Sequence, residues 1–118
     1  MRMNRAAAEA RGRRAERAAR WWLRLKGYRI LAIRARCPRG EVDIIARRGR
    51  VVAFVEVKQR ATRDAAAQAL SAHGLRRVIA AAGALSAHYA RPDDAIRIDA
   101  VLITPGRLPC HHRNIWHG

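Results

Sequence analysis

The chain has 118 residues, 25 basic against 9 acidic side chains, and a formal net charge of +16. That length fits one domain, and an apolar share of 50% argues against a disordered basic tail. No apolar run approaches the roughly 20 residues of a membrane helix. The Arg-rich start lacks the apolar stretch of a secretory signal, and two cysteines, Cys37 and Cys110, are too few for a disulfide scaffold. The expectation is a small cytoplasmic domain with no membrane partner.

Asn4 to Lys26 reads as a helix rich in Ala, Arg and Glu, with Ala8, Ala15, Ala18, Ala19, Trp22 and Leu25 as its apolar stripe and Gly27 as its stop. Glu16 lies about 100° around from Ala15, on the flank of that stripe. Tyr28–Arg36, Glu41–Arg47 and Val51–Lys58 carry strand character. Ala65 to Ala90 is mostly helix, with a break placed at Gly74. Ala95–Ile103 is a last strand, and 104–118 shows no clear pattern. The order αβββαβ predicts a single α/β domain, a mixed central sheet with flanking helices. Its parts are an N-terminal helix (1–27), a core (28–103) and an irregular tail (104–118).

The charge makes a polyanion the default partner, because each phosphate contact releases counterions. It does not separate DNA from RNA, or binding from cutting. All but two of the basic residues are arginines, and the chain has 25 alanines, a bias that also fits a coding habit. The scarce acids are more informative. A carboxylate repels phosphate unless a cation lies between them, yet Glu41, Asp43 and Glu56 fall on one hairpin.

That hairpin turns around Arg48-Gly49-Arg50. A Gly49-Arg50 loop fits a type II′ turn, which wants Gly first. It pairs Arg48 with Val51, Ala46 with Ala53, Asp43 with Glu56 and Glu41 with Lys58. An Arg48-Gly49 loop pairs Asp43 with Phe54 instead. Both registers leave Asp43, Glu56 and Lys58 on one face, with Val42, Ile44, Val55 and Val57 on the other; a three-residue loop breaks the arrangement. Facing carboxylates repel, and a divalent cation removes the cost. Mg²⁺ takes one or two carboxylates, waters and phosphate oxygens. The competing reading is a solvated sheet face, with Glu41–Lys58 a cross-strand ion pair worth under about 1 kcal/mol.

The run Gly40-Glu41-Val42-Asp43-Ile44-Ile45-Ala46, then Val55-Glu56-Val57-Lys58-Gln59-Arg60, resembles the signature of the YraN-like bacterial proteins. That family is similar to archaeal Holliday junction resolvases and to the restriction-endonuclease-like superfamily with its PD-(D/E)xK pattern. The resemblance runs from about Arg14 to Ile103. It implies a restriction-endonuclease-like fold, with Asp43 and Glu56 as ligands of Mg²⁺ or Mn²⁺ and the Val57 carbonyl as a further one. It also implies that Lys58 positions or activates water and that Glu16 assists at the metal. Asp99 matches a strand Asp of the family to which no role is attached. The family's helix Lys is missing: Gly74 stands near its place, and Arg76 or Arg77 would supply the charge.

The activity implied is a Mg-dependent nuclease acting on DNA ahead of RNA, with branched or structured DNA in view and a homodimer by analogy. The alternative is a binding module that keeps the fold without cutting. Arg34, Arg36, Arg47, Arg48 and Arg60 lie near strand ends as candidates to grip phosphates, or as plain basic surface. Four signals are weaker. Cys110-His111-His112 with His117 lacks the second pair that a structural zinc site needs. Trp21 could cover the sheet edge, stack on a base or serve a dimer contact, and core or edge packing is the preferred reading. Gln68 is a minor candidate for reaching the site, and Cys37 a strand-end packing residue.

Overall fold

Alanine and arginine favour helix, and Ala15, Ala19 and Leu23 recur every fourth residue, so the first helix, α1 (Arg5–Leu25), buries one narrow line. Leu23 is wholly buried, whereas Leu25, placed on the stripe by periodicity, is 75% exposed. Two residues at about 100° each carry Leu25 to the far side of the helix. Trp21 is 64% exposed and so is not core. The computed structural model describes residues 5–70 and 72–116, so the Asn4 helix start and His117 lie outside the described residues.

Three strands follow as an antiparallel meander: β1 (Arg29–Cys37), β2 (Gly40–Arg48) and β3 (Val51–Gln59). Two helices, α2 (Arg63–Gln68) and α3 (Ala72–Tyr89), cross over to β4 (Ala95–Ile103), which runs parallel to β3. The helical break falls after Gln68 and not at Gly74, which lies inside α3. Thr62 caps α2, its side chain accepting from the Ala65 amide at 3.1 Å. The tail is not irregular throughout: Cys110–His112 forms β5, antiparallel to β4. The five strands stand in the order β1-β2-β3-β4-β5. Among the described residues, no helix is long and apolar enough to cross a membrane.

α1 packs on one face of the sheet, over Ile44, Ala46, Ala53, Val55 and Val101. α3 packs on the other, over Val42, Ile45, Val52, Phe54 and Ile98. Phe54 is fully buried there, a burial that contributes about 2–3 kcal/mol. α2 covers Ala100 and Leu102 beside it.

Val42 and Ile44 thus face opposite layers, against the expectation that they share one. Residues two apart on a regular strand point the same way. The cause lies in the neighbouring strand. Arg34, between Ile33 and Ala35, adopts a left-handed φ of 48°, uncommon for any residue but glycine. Ile33 pairs with Ile44 and Ala35 with Val42. Between these two pairs β2 changes face, and Asp43 is the residue at which it does so.

Candidate active site

Gly49 and the backbone of Gly40 set the site's geometry. Gly49 has a φ of +61°, as the first position of a type II′ turn requires. The ladder runs in the matching register, Arg48↔Val51 to Ile44↔Val55, and then stops. Beyond it the Val57 amide donates to Asp43 Oδ2 at 2.8 Å. A side chain has taken the place of a backbone acceptor, and the two strands splay around it. At Gly40, any Cβ would stand 2.2 Å from the Arg77 carbonyl oxygen. Only glycine lets the start of β2 pass this close to α3, which brings Arg77 within 3.5 Å of Glu41.

The splay opens a cavity of about 620 Å³ lined by Asp43, Glu56, Val57, Lys58 and Arg60 from the hairpin, Glu16 from α1 and Arg77 from α3. The three hairpin residues on which the sequence argument turns are together. Lys58 Nζ lies 2.9 Å from Glu56 Oε1, so Lys58 pairs with Glu56 and not with Glu41, which instead meets Arg36 at 3.4 Å and Arg77 at 3.5 Å. Glu16 stands on the helix side, 2.9 Å from Arg34 Nε. The left-handed turn at Arg34 aims that guanidinium at it, as strand irregularities beside sites often do.

Burial is the main cause that pushes the Asp43 carboxyl up to about 7, and the negative charge of Glu56 is the next; the Val57 amide opposes both, Glu16 adds to the rise and Lys58 opposes it. The cleft therefore holds more negative charge than it can comfortably keep. Two hard oxygen donors short of positive charge fit Mg²⁺ or Mn²⁺, which are completed by waters and phosphate oxygens. Among the described residues, no group of three or more His, Cys, Asp and Glu side chains gathers to hold an ion unaided. Asp43 and Glu56 would hold such a cation and leave the rest of its shell open.

The other candidates divide. Arg60 and Arg77 line the cleft. Arg36 is exposed beside it, and Arg76 and Gln68 are exposed and do not line it. Arg47 and Arg48 sit at the opposite end of the hairpin. Arg47 is committed to Asp94, at 2.6 and 3.0 Å. Arg48 donates to the Lys26 carbonyl at 3.1 Å and covers the Tyr28 ring. Both serve the fold there.

Two features escaped sequence reasoning. Arg11 and Gly12 also line the cleft; their place one turn before Ala15 and Glu16 is the only signal that marks them. Asp99 is wholly buried in a polar cluster away from the cleft. It accepts from Arg97 at 2.8 Å and from the Asn114 amide at 3.0 Å, and it lies 2.8 Å from His111 Nε2. Arg97 also donates to the Tyr28 hydroxyl. The cluster ties β5 to β4 and to the end of α1. Its signal in the sequence was a lone acid, Asp99, within the apolar run of the last strand, with no partner visible in the linear order.

An α/β domain whose hairpin delivers an Asp and a Glu-x-Lys to one cleft, beside a helical Glu, belongs to the class of nuclease-like α/β folds. The model of the Uncharacterised protein family UPF0102 matches residues 15–103, and the chain belongs to that family, the one of the YraN-like proteins. It is 59% identical over 117 residues to a UPF0102 protein of Sphingopyxis alaskensis, covering 97% of this chain and 98% of that one. It is 54% identical over 114 residues to one of Rhizorhabdus wittichii, with 97% of each covered. To one of Erythrobacter litoralis it is 49% identical over 114 residues, covering 97% and 98%.

Proposed function

We propose that the protein is a metal-dependent phosphodiesterase that cuts DNA, with branched or otherwise structured DNA as its substrate class. The observation that carries this reading is the gathering of Asp43, Glu56 and Lys58 in one cleft, with Asp43 pushed up to about 7 by burial and by Glu56. A chain this basic does not gain by storing buried negative charge unless something positive and a phosphate meet there.

Mg²⁺ or Mn²⁺, when bound, supplies the positive charge that lets a phosphate approach two carboxylates and lowers the pKa of a water. The chain's own residues do the rest. Asp43 is held rigid by the Val57 amide, and Glu56 is aimed from the adjacent strand. Lys58, anchored by Glu56 at 2.9 Å, orients the attacking water and offsets charge that builds on the phosphorus-bound oxygens. Water adds to phosphorus, one P–O ester bond breaks, and the departing oxygen leaves as a hydroxyl with its proton. Arg60 and Arg77 are the cleft's phosphate clamps. A homodimer that addresses two strands belongs to the same proposal, and sedimentation at micromolar concentration tests it.

The test is a Mg²⁺ and Mn²⁺ titration with labelled duplex, single-stranded and four-way-junction DNA. Cleavage that Glu56→Ala or Lys58→Ala abolishes, with binding retained, supports the enzyme. Binding without cleavage of any of the three substrates overturns it. That outcome belongs to a non-catalytic binding module, a reading favoured by the existing Lys58–Glu56 and Glu16–Arg34 ion pairs.

A further inference from the structure

Beside the cleft runs a second cavity of about 370 Å³ lined by Arg13, Arg14, Arg17, Arg20, Arg34 and Ile33. The Glu16–Arg34 pair stands between the two: Glu16 lines the first cavity and Arg34 the second. At about 100° per residue, Arg13, Arg17, Arg20 and Arg24 fall within an arc of about 60° on α1. Among the described residues, none of these four is within ion-pair distance of a carboxylate. Burial, and then the charge of Arg24, hold the Arg20 guanidinium below its ordinary value; Glu16 opposes this, while Arg34 and Arg17 add to it. Like charges have been gathered on one helix face, and the acids that flank it, Glu9 and Glu16, pair with none of the four at ion-pair distance. Next to this stripe, one position after Arg20, is Trp21, 64% exposed, with exposed Leu25 one turn on.

We propose that this face of α1 binds a single-stranded nucleic-acid segment that runs on from the cleft, its phosphates on the Arg13–Arg17–Arg20–Arg24 stripe and an unpaired base stacked on Trp21. The proposal rests on the phosphodiester reading of the cleft only for the direction in which the strand continues. The stripe is about 16 Å long, from 11 steps of about 1.5 Å, long enough to follow several consecutive phosphates of an unpaired strand. An exposed indole among guanidinium groups suits unpaired bases, since every base has a face to stack and the phosphates come with it. A second copy of this chain is a poorer occupant of this face, because across a two-fold axis it would set the same arginine stripe against itself. The same arrangement gives one kind of structured DNA a reason to be preferred: a flap or overhang offers duplex to the cleft and a free strand to the helix.

The test measures binding without metal, so cleavage plays no part. A labelled oligothymidine is titrated across a salt series with the parent, an Arg17→Gln/Arg24→Gln double variant, Trp21→Ala and Trp21→Phe. These side chains lie on the helix surface, and thermal melting checks the fold. The double variant is expected to flatten the log-affinity against log-salt slope by about 1.4, at about 0.7 for each phosphate of a single strand that is no longer neutralised. Trp21→Ala is expected to weaken oligothymidine binding about tenfold and binding of a blunt duplex far less, while Trp21→Phe keeps most of the affinity. Unchanged slope and affinity in folded variants overturn the proposal. So does a Trp21→Ala variant that binds normally but sediments as a smaller species than the parent, which makes the patch an interface between copies. If the parent binds the strand through the stripe but cuts nothing, the phosphodiester reading falls and this one stands; if it cuts and the stripe variants bind like the parent, this one falls alone.

Discussion

Asp43 Oδ2 accepts the Val57 amide hydrogen at 2.8 Å, the bond that succeeds the β2–β3 ladder after Ile44↔Val55. One side chain thereby does two things. It satisfies a backbone donor that the splayed strands would otherwise strand, and it places a carboxyl beside Glu56 in the cleft.

The metal-free protein is therefore expected to be strained by its own site. The Asp43 carboxyl, ordinarily at 3.8, is raised to about 7. Between these values the folded chain holds a proton that the unfolded chain has released, so this group costs more stability as pH rises through that window. Asp43→Asn keeps an acceptor for Val57 and removes the charge. It should melt at least about 4 °C higher than the parent at pH 8 without metal, a gain of about 1 kcal/mol or more, while losing all cleavage. Added Mg²⁺ should raise the parent's midpoint and leave the variant's unchanged. A variant that melts lower at pH 8 contradicts the charge account.

Gly40 is a matter of space. Gly40→Ala puts a methyl 2.2 Å from the Arg77 carbonyl oxygen, so β2 and α3 must part. The expected cost is about 1–3 kcal/mol, read as a lower denaturant midpoint, together with weaker phosphate binding as Arg77 moves off the cleft. An unchanged midpoint would show that the close approach does not matter.

The buried cluster around Asp99 should behave as structure. Burial alone would raise the Asp99 carboxyl, but His111, Arg97 and the Asn114 amide outweigh it and hold it at about 2. Its contribution is full above about pH 4 and is lost as pH falls from there towards 2. Asp99→Asn leaves Arg97 without its counter-charge and should cost about 3 kcal/mol or more at pH 7, with the difference from the parent shrinking below pH 4. Metal-dependent cleavage per folded molecule should be unaffected. A cleavage defect in a fully folded Asp99→Asn would bring this cluster into the chemistry.

Arg47 offers a contrast with the cleft arginines. It is tied to Asp94, with 3% of that side chain exposed. Arg47→Met is expected to lower the melting temperature and to leave oligonucleotide affinity and its salt slope as in the parent, whereas Arg60→Met should weaken binding with little effect on melting. The opposite pattern would put the phosphate path at the turn end of the hairpin.

Much of this could be read from the linear order because it is local. The period-two runs marked three neighbouring strands, Gly49 specified the turn, and the turn specified which residues of β2 and β3 come abreast. From that count alone Asp43, Glu56 and Lys58 converge. What could not be read depends on contacts between residues far apart in the chain. The left-handed turn at Arg34 carries no glycine to announce it, yet it switches the faces of Val42 and Ile44. The last residues look patternless because β5 is short and its partners, β4 with Asp99 and the Tyr28 ring, lie far off in the chain. The helix stripe showed its periodicity but not its phase, so Leu25 was placed on it in the position that Leu23 takes once the sheet lies beneath. Short-range backbone preferences determined the strands and the meeting of the acids; packing between distant segments decided which arginines border the cleft, because a guanidinium goes to whichever carboxylate, ring or carbonyl the fold brings within its reach.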